Sequence, residues 1–101
     1  SMVLSHDASR LFVEMRDFTE DDGSVCTFRV EADGRLTLLS RTLVGDVPVR
    51  LLMSPSGSHL LISESGESRL SAYSVGDNGA LMRAASIDLP AGSRDMVVLD
   101  D

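Results

Sequence analysis

An all-β chain of two four-stranded antiparallel meanders is predicted by three observations. Turn signals recur between short apolar segments: Ser54-Pro55-Ser56-Gly57, the polar stretch Glu64 to Ser68, and Asp77-Asn78-Gly79. The same order appears twice. Val3 to Val13 lies over Leu52 to Ile62 at a spacing of 49 residues, and Phe28 to Leu36 lies over Tyr73 to Leu81 at a spacing of 45. Finally, Leu51-Leu52-Met53 and Leu60-Leu61-Ile62 are apolar at consecutive positions, which implies sheets buried on both faces. A period of this length with four strands per unit is that of consecutive β-propeller blades. The predicted organisation is one domain, 1–101, of two blade-like repeats at about 3–48 and 49–99, with Ser1-Met2 reading as a protease scar and start codon.

In chain order, Arg10 to Met15 is ambiguous by periodicity and becomes a strand through its match to His59 to Glu64. Arg16 to Gly23 holds four acids and reads as a solvated hairpin tip; its spacing does not fit a calcium loop. Ser24 to Glu31 alternates Val25, Thr27 and Arg29 with Cys26, Phe28 and Val30, so Cys26 is expected as a small buried residue. Ala32-Asp33-Gly34 turns the chain into a long outer strand, Arg35 to Val44, on which strict alternation puts Leu36, Leu38, Thr42 and Val44 on one face. Pro48 opens the apolar run Val49 to Met53, and His59 to Ser63, Arg69 to Val75 and Ala80 to Leu89 follow in the second unit, with Arg94 to Leu99 as a further inner strand. On this reading the chain opens on the second strand of one blade and closes on the first strand of another. Two blades cannot close a ring, but three chains would give six blades and four would give eight. A face-to-face sandwich of the two sheets is the monomeric alternative.

Net charge is −7, and all nine basic residues are Arg. An acidic chain repels phosphate backbones, so no nucleic-acid partner is expected. Without Lys there is no Schiff base and no phosphate-loop lysine. No apolar run approaches a membrane span of ~20 residues, and no signal peptide precedes the first strand. With a single cysteine, these features lead to a cytoplasmic expectation with no membrane partner and no cofactor or metal.

The phrases DVPVRLLMSPSGSHLLIS, SRLSAYSVGDNGALMRAASIDLP and VCTFRVEADGRLTLLSRTLV resemble the repeats of lactonase-type seven-bladed β-propellers, among them a bacterial class of 6-phosphogluconolactonase and the carboxymuconate-lactonizing enzyme. The resemblance covers about two blades of seven. It implies an anionic sugar lactone as substrate, gripped by Arg and His gathered from several blades. The matching positions here are Pro48-Val49-Arg50 and Ser93-Arg94-Asp95, where the family has Pro-Arg-His, and Glu14-Met15 and Glu64-Ser65, where it has a strand ending in Asn.

Three functions follow. The leading one is a non-catalytic propeller module acting in self-assembly or in protein or ligand binding, partnered by itself or by further blades. The second is a lactonase in which Arg50, His59, Glu64 and Arg94 supply the anion grip and the acid or base. The third is a scaffold contacting partners through Glu14, Arg16, Glu64 and Arg69. No Gly-x-Ser-x-Gly elbow supports a serine nucleophile.

Overall fold

A computed structural model describes residues 1–16, 22–46, 48–64 and 69–89. They form eight strands and two separate four-stranded antiparallel sheets. Sheet 1 runs β1 (Met2–Leu4), β2 (Arg10–Arg16), β3 (Asp22–Val30) and β4 (Leu36–Asp46); sheet 2 runs β5 (Pro48–Met53), β6 (His59–Glu64), β7 (Arg69–Val75) and β8 (Leu81–Asp88). Strand order equals chain order in both, as an up-and-down meander requires.

The repetition seen in the sequence extends to individual hydrogen bonds. In the first hairpin of each sheet the Ser5 amide donates to the Arg10 carbonyl and the Ser54 amide to the His59 carbonyl, both at 2.9 Å. The Ser5 and Ser54 hydroxyls accept the Arg10 and His59 amides at 3.0 and 3.1 Å. In the outer hairpin, Asp33 and Asn78 each use Oδ1 to accept the amide two residues on, at 3.0 Å. Gly34 and Gly79 hold the same left-handed position, φ 90° and 85°.

Two sequence expectations are corrected. The chain opens on a first strand, not a second: β1 pairs Met2 with Val13 and Leu4 with Leu11, as β5 pairs Leu51 with Ile62 and Met53 with Leu60. The outer strand does not keep one face. Thr27 pairs with Ser40 and Phe28 with Leu38, so Leu39 is an extra residue in a bulge. A bulge reverses the inward and outward set beyond it. Leu36 and Leu38 therefore lie on the open side, 52% and 57% exposed, while Val44 is fully buried. Sheet 2 repeats the bulge, where Ala72 pairs with Ala85 and Tyr73 with Arg83.

One core joins the sheets. Phe12, Val25 and Val44 from sheet 1 pack on Leu51, Met53, Leu60, Ile62, Tyr73 and Leu81 from sheet 2. Polar bonds lock this junction at the turn end. Thr27 Oγ1 donates to the Gly79 carbonyl at 2.8 Å, the Leu81 amide donates to Thr42 Oγ1 at 3.2 Å, and the Arg10 guanidinium donates to the carbonyls of Gly76 and Asp77. At Gly79 a Cβ would lie 3.0 Å from Leu39 Cβ, so the turn backbone touches sheet 1 directly. Cys26 is buried and unpaired among the described residues.

Candidate functional site

Meander topology gives each sheet two ends: one carries the turns β1–β2, β3–β4, β5–β6 and β7–β8, the other the ends where β2 and β6 stop and β3, β5 and β7 start. At this second end Glu64 terminates β6, fully buried. A bare buried carboxylate would be strongly unfavourable, and sheet pairing supplies the remedy, because Glu64 stands opposite Arg69. Arg69 Nε and Nη2 both reach Glu64 Oε2 at 2.8 Å. The Tyr73 hydroxyl and Arg83 Nη2 lie 3.4 Å from Oε1, and Arg83 Nη2 donates to the Tyr73 hydroxyl at 3.0 Å. The Arg83 guanidinium also lies 5.5 Å from the Tyr73 ring centroid. Burial is the main cause that raises the Tyr73 phenol above its ordinary pKa, with the Glu64 charge adding to it against Arg83 and Arg69. The phenol thus remains a donor toward Glu64.

Arg50 is exposed on β5, beside this end, paired in register with Ser63. Strand alternation puts it on the opposite face from Leu51, and so from the Glu64 cluster. His59 starts β6, with Nδ1 2.9 Å from the Ser58 hydroxyl. Five residues of extended strand separate it from Glu64, about 17 Å. Arg94 lies outside the described residues, as do the acidic stretch 17–21 and the side chain of Arg16. Glu14 binds the Ser1 ammonium through Oε1. The structure thus brings Glu64 together with Arg69, and separates His59 from both.

The turn end holds a cleft of about 400 Å³ between the sheets, floored by Phe12, Met53 and Val75 and rimmed by Ser5, His6, Asp7 and Ser56. His6 Nε2 donates to the Ser54 carbonyl at 2.8 Å, tying the two β-turns across the junction. Asp7 Oδ1 accepts from the Ser5 hydroxyl and from the Ser9 hydroxyl and amide, at 2.7, 2.7 and 3.0 Å. The Ser9 hydroxyl, then its amide, then the Ser5 hydroxyl lower the Asp7 pKa to about 2. In the repeat, Ser56 takes the same place, bonded to Ser58. Among the described residues no group of three or more His, Cys, Asp or Glu could hold a metal ion, and no helix is long and apolar enough to cross a membrane.

Arg83 and His6 were not legible as partners. Arg83 meets Glu64 only because of the bulge between β7 and β8, and His6 acts across the two sheets. Arg69 carried a signal, since antiparallel pairing of β6 with β7 sets it against Glu64.

Comparison with known proteins agrees with this architecture. Of solved structures, a protein assigned as a 6-phosphogluconolactonase from Bacteroides fragilis NCTC 9343 superposes with a TM-score of 0.78 at 23% identity, over 88% of this chain and 25% of that one. The Pseudomonas aeruginosa periplasmic gluconolactonase PpgL gives 0.81 at 24%, over 94% and 26%. A protein assigned as a 6-phosphogluconolactonase from Bacteroides uniformis ATCC 8492 gives 0.79 at 21%, over 88% and 26%. At such identity the likeness shows the fold, and the chain spans about a quarter of their length. No curated protein matches. The family described as lactonase, 7-bladed beta-propeller, matches over residues 1–97. The chain belongs to that lactonase β-propeller family.

Proposed function

We propose that this chain acts as a non-catalytic pair of propeller blades that works by packing against further blades, and that opening of a sugar lactone needs a completed ring. The observation that carries this reading is the dispersal of the candidate catalytic set. Both Glu64 oxygens are engaged by Arg69, Tyr73 and Arg83, whereas His59 stands at the other end of the same strand. An acid or base must lie within hydrogen-bond reach of the proton it moves, and these two cannot act on one small lactone. Cytoplasmic residence is part of the proposal, supported by the lone cysteine. The test is hydrolysis of 6-phosphogluconolactone and of glucono-δ-lactone by the 101-residue chain against the spontaneous rate. The expected result is no excess. A rate above background that Glu64→Gln or His59→Asn abolishes would overturn the proposal. A second reading, lactonase activity of a ring that includes these blades, is favoured by the family match; here Arg50, exposed beside the second end, contributes positive charge toward an anionic lactone.

A further inference from the structure

We propose that Ser56 is a phosphorylation site, and that the turn from Ser54 to His59 is a ready-made socket for the phosphoryl group it receives. The inference goes beyond the blade-packing reading and does not depend on it. It comes from comparing the two copies of one turn. In the first copy the acceptor is charged: Asp7 Oδ1 takes the Ser5 and Ser9 hydroxyls at 2.7 Å each and the Ser9 amide at 3.0 Å. The Ser9 hydroxyl, the Ser9 amide and the Ser5 hydroxyl hold that charge well enough to bring the carboxyl down to about 2. The second copy repeats every donor, as the Ser54 hydroxyl, the Ser58 hydroxyl and the Ser58 amide, but sets a neutral hydroxyl where the carboxylate stood. Ser56 Oγ is one bond shorter than an aspartate oxygen and lies 3.4, 2.7 and 3.3 Å from these groups, so two of the three contacts are long. Phosphorylation lengthens the arm and restores the charge, with three strong acceptor oxygens and about −1.5 to −2 charge at pH 7. The waiting donors then make charge-assisted hydrogen bonds.

Access and surroundings agree with this use. Pro55 and Ser56 are exposed at the tip of the β5–β6 hairpin, so a kinase reaches the hydroxyl without opening a sheet. Of the three serines in the turn, Ser54 accepts the His59 amide at 3.1 Å and Ser58 meets His59 Nδ1 at 2.9 Å, which leaves Ser56 as the one not fixed against His59. Ser56 borders the cleft of about 400 Å³, which gives a phosphoryl group room. The titratable and charged groups around it are His59 on its own hairpin and His6, Asp7 and Arg10 from sheet 1. His6 precedes Asp7 in the chain and its ring would stand 3.0 Å from a Cβ on Gly57, so one imidazole adjoins both acidic positions and offsets the Asp7 charge when protonated. In the transfer, the bond from Ser56 Oγ to phosphorus forms as the bond from the γ-phosphorus of a nucleoside triphosphate to its bridging oxygen breaks. The nucleoside diphosphate leaves, and the hydroxyl proton passes to the carboxylate base of the kinase.

Mass spectrometry of the protein isolated from the cells that make it is expected to place one phosphoryl group on Ser56. An unmodified turn at every growth stage, or phosphorylation confined to Ser54 or Ser58, overturns the proposal. The socket is read separately, by phosphorus NMR on the 101-residue chain carrying phosphoserine at position 56. Donors that favour the dianion are expected to bring its second ionisation below the value of about 6 for an exposed phosphoserine. Ser58→Ala is expected to move that midpoint back up with circular dichroism unchanged. A midpoint equal to that of the same chain unfolded in urea, or one that Ser58→Ala leaves in place, overturns the socket. Inorganic phosphate added to the unmodified chain is expected to leave the amide signals of Ser54 and Ser58 where they are, because the Ser56 hydroxyl occupies the turn. Saturable shifts there would assign the turn to a free anion and overturn the covalent reading. None of these results bears on lactone hydrolysis, which is read in a separate assay.

Discussion

Ala8 sits at φ 60°, the only described residue other than glycine with a positive φ, and its repeat counterpart is Gly57 at 78°. Both close the β-turn of a first hairpin, donating to Ser5 and Ser54 at 2.9 Å. A left-handed L-residue costs about 1–2 kcal/mol through its Cβ. Glycine removes that cost but gives up about 0.4–1 kcal/mol through the looser unfolded chain. Ala8→Gly should therefore stabilise by about 0.5–1 kcal/mol, which in a chain of this size is a melting rise of about 2–8 °C. The reverse exchange carries a second penalty, because a Cβ on Gly57 would stand 3.0 Å from His6 Cδ2. Moving that ring weakens the bond from His6 Nε2 to the Ser54 carbonyl, a loss of about 1 kcal/mol. Gly57→Ala should then destabilise by about 2 kcal/mol in all, strain and bond counted together. Urea unfolding followed by circular dichroism measures both. If Ala8→Gly lowered the midpoint, or Gly57→Ala left it unchanged, the repeat-equivalence of the two turns would fail as an energetic argument.

The remaining expectations concern single contacts. Arg69→Ala leaves a buried carboxylate without its two closest donors and should cost about 3 kcal/mol, whereas Arg35→Ala, which breaks an exposed pair with Asp33, should cost under about 1 kcal/mol; urea midpoints compare them. Thr27→Val keeps shape but removes the donor to the Gly79 carbonyl and should cost about 1 kcal/mol by the same measurement. The Asp7 carboxyl should titrate near 2 by NMR, and Ser9→Ala should raise that midpoint. The sign follows from the depressed value: the Asp7 contribution is complete above the unfolded carboxylate pKa and is lost as pH falls through about 2.

The strands, their order and their repetition were legible because each rests on local chemistry: turn residues at fixed places and apolar runs between them. Register beyond a bulge was not. Leu36 and Val44 look equivalent by alternation, yet Leu39 inserts between the pairs Phe28–Leu38 and Thr27–Ser40 and sends them to opposite faces. The candidate site failed to read for a related reason. Glu64 was visible as an acid at a strand end, but its burial depends on Tyr73 and Arg83, which strand pairing and a second bulge bring to it. Sequence spacing carries the pairing of neighbours and loses what three strands do together.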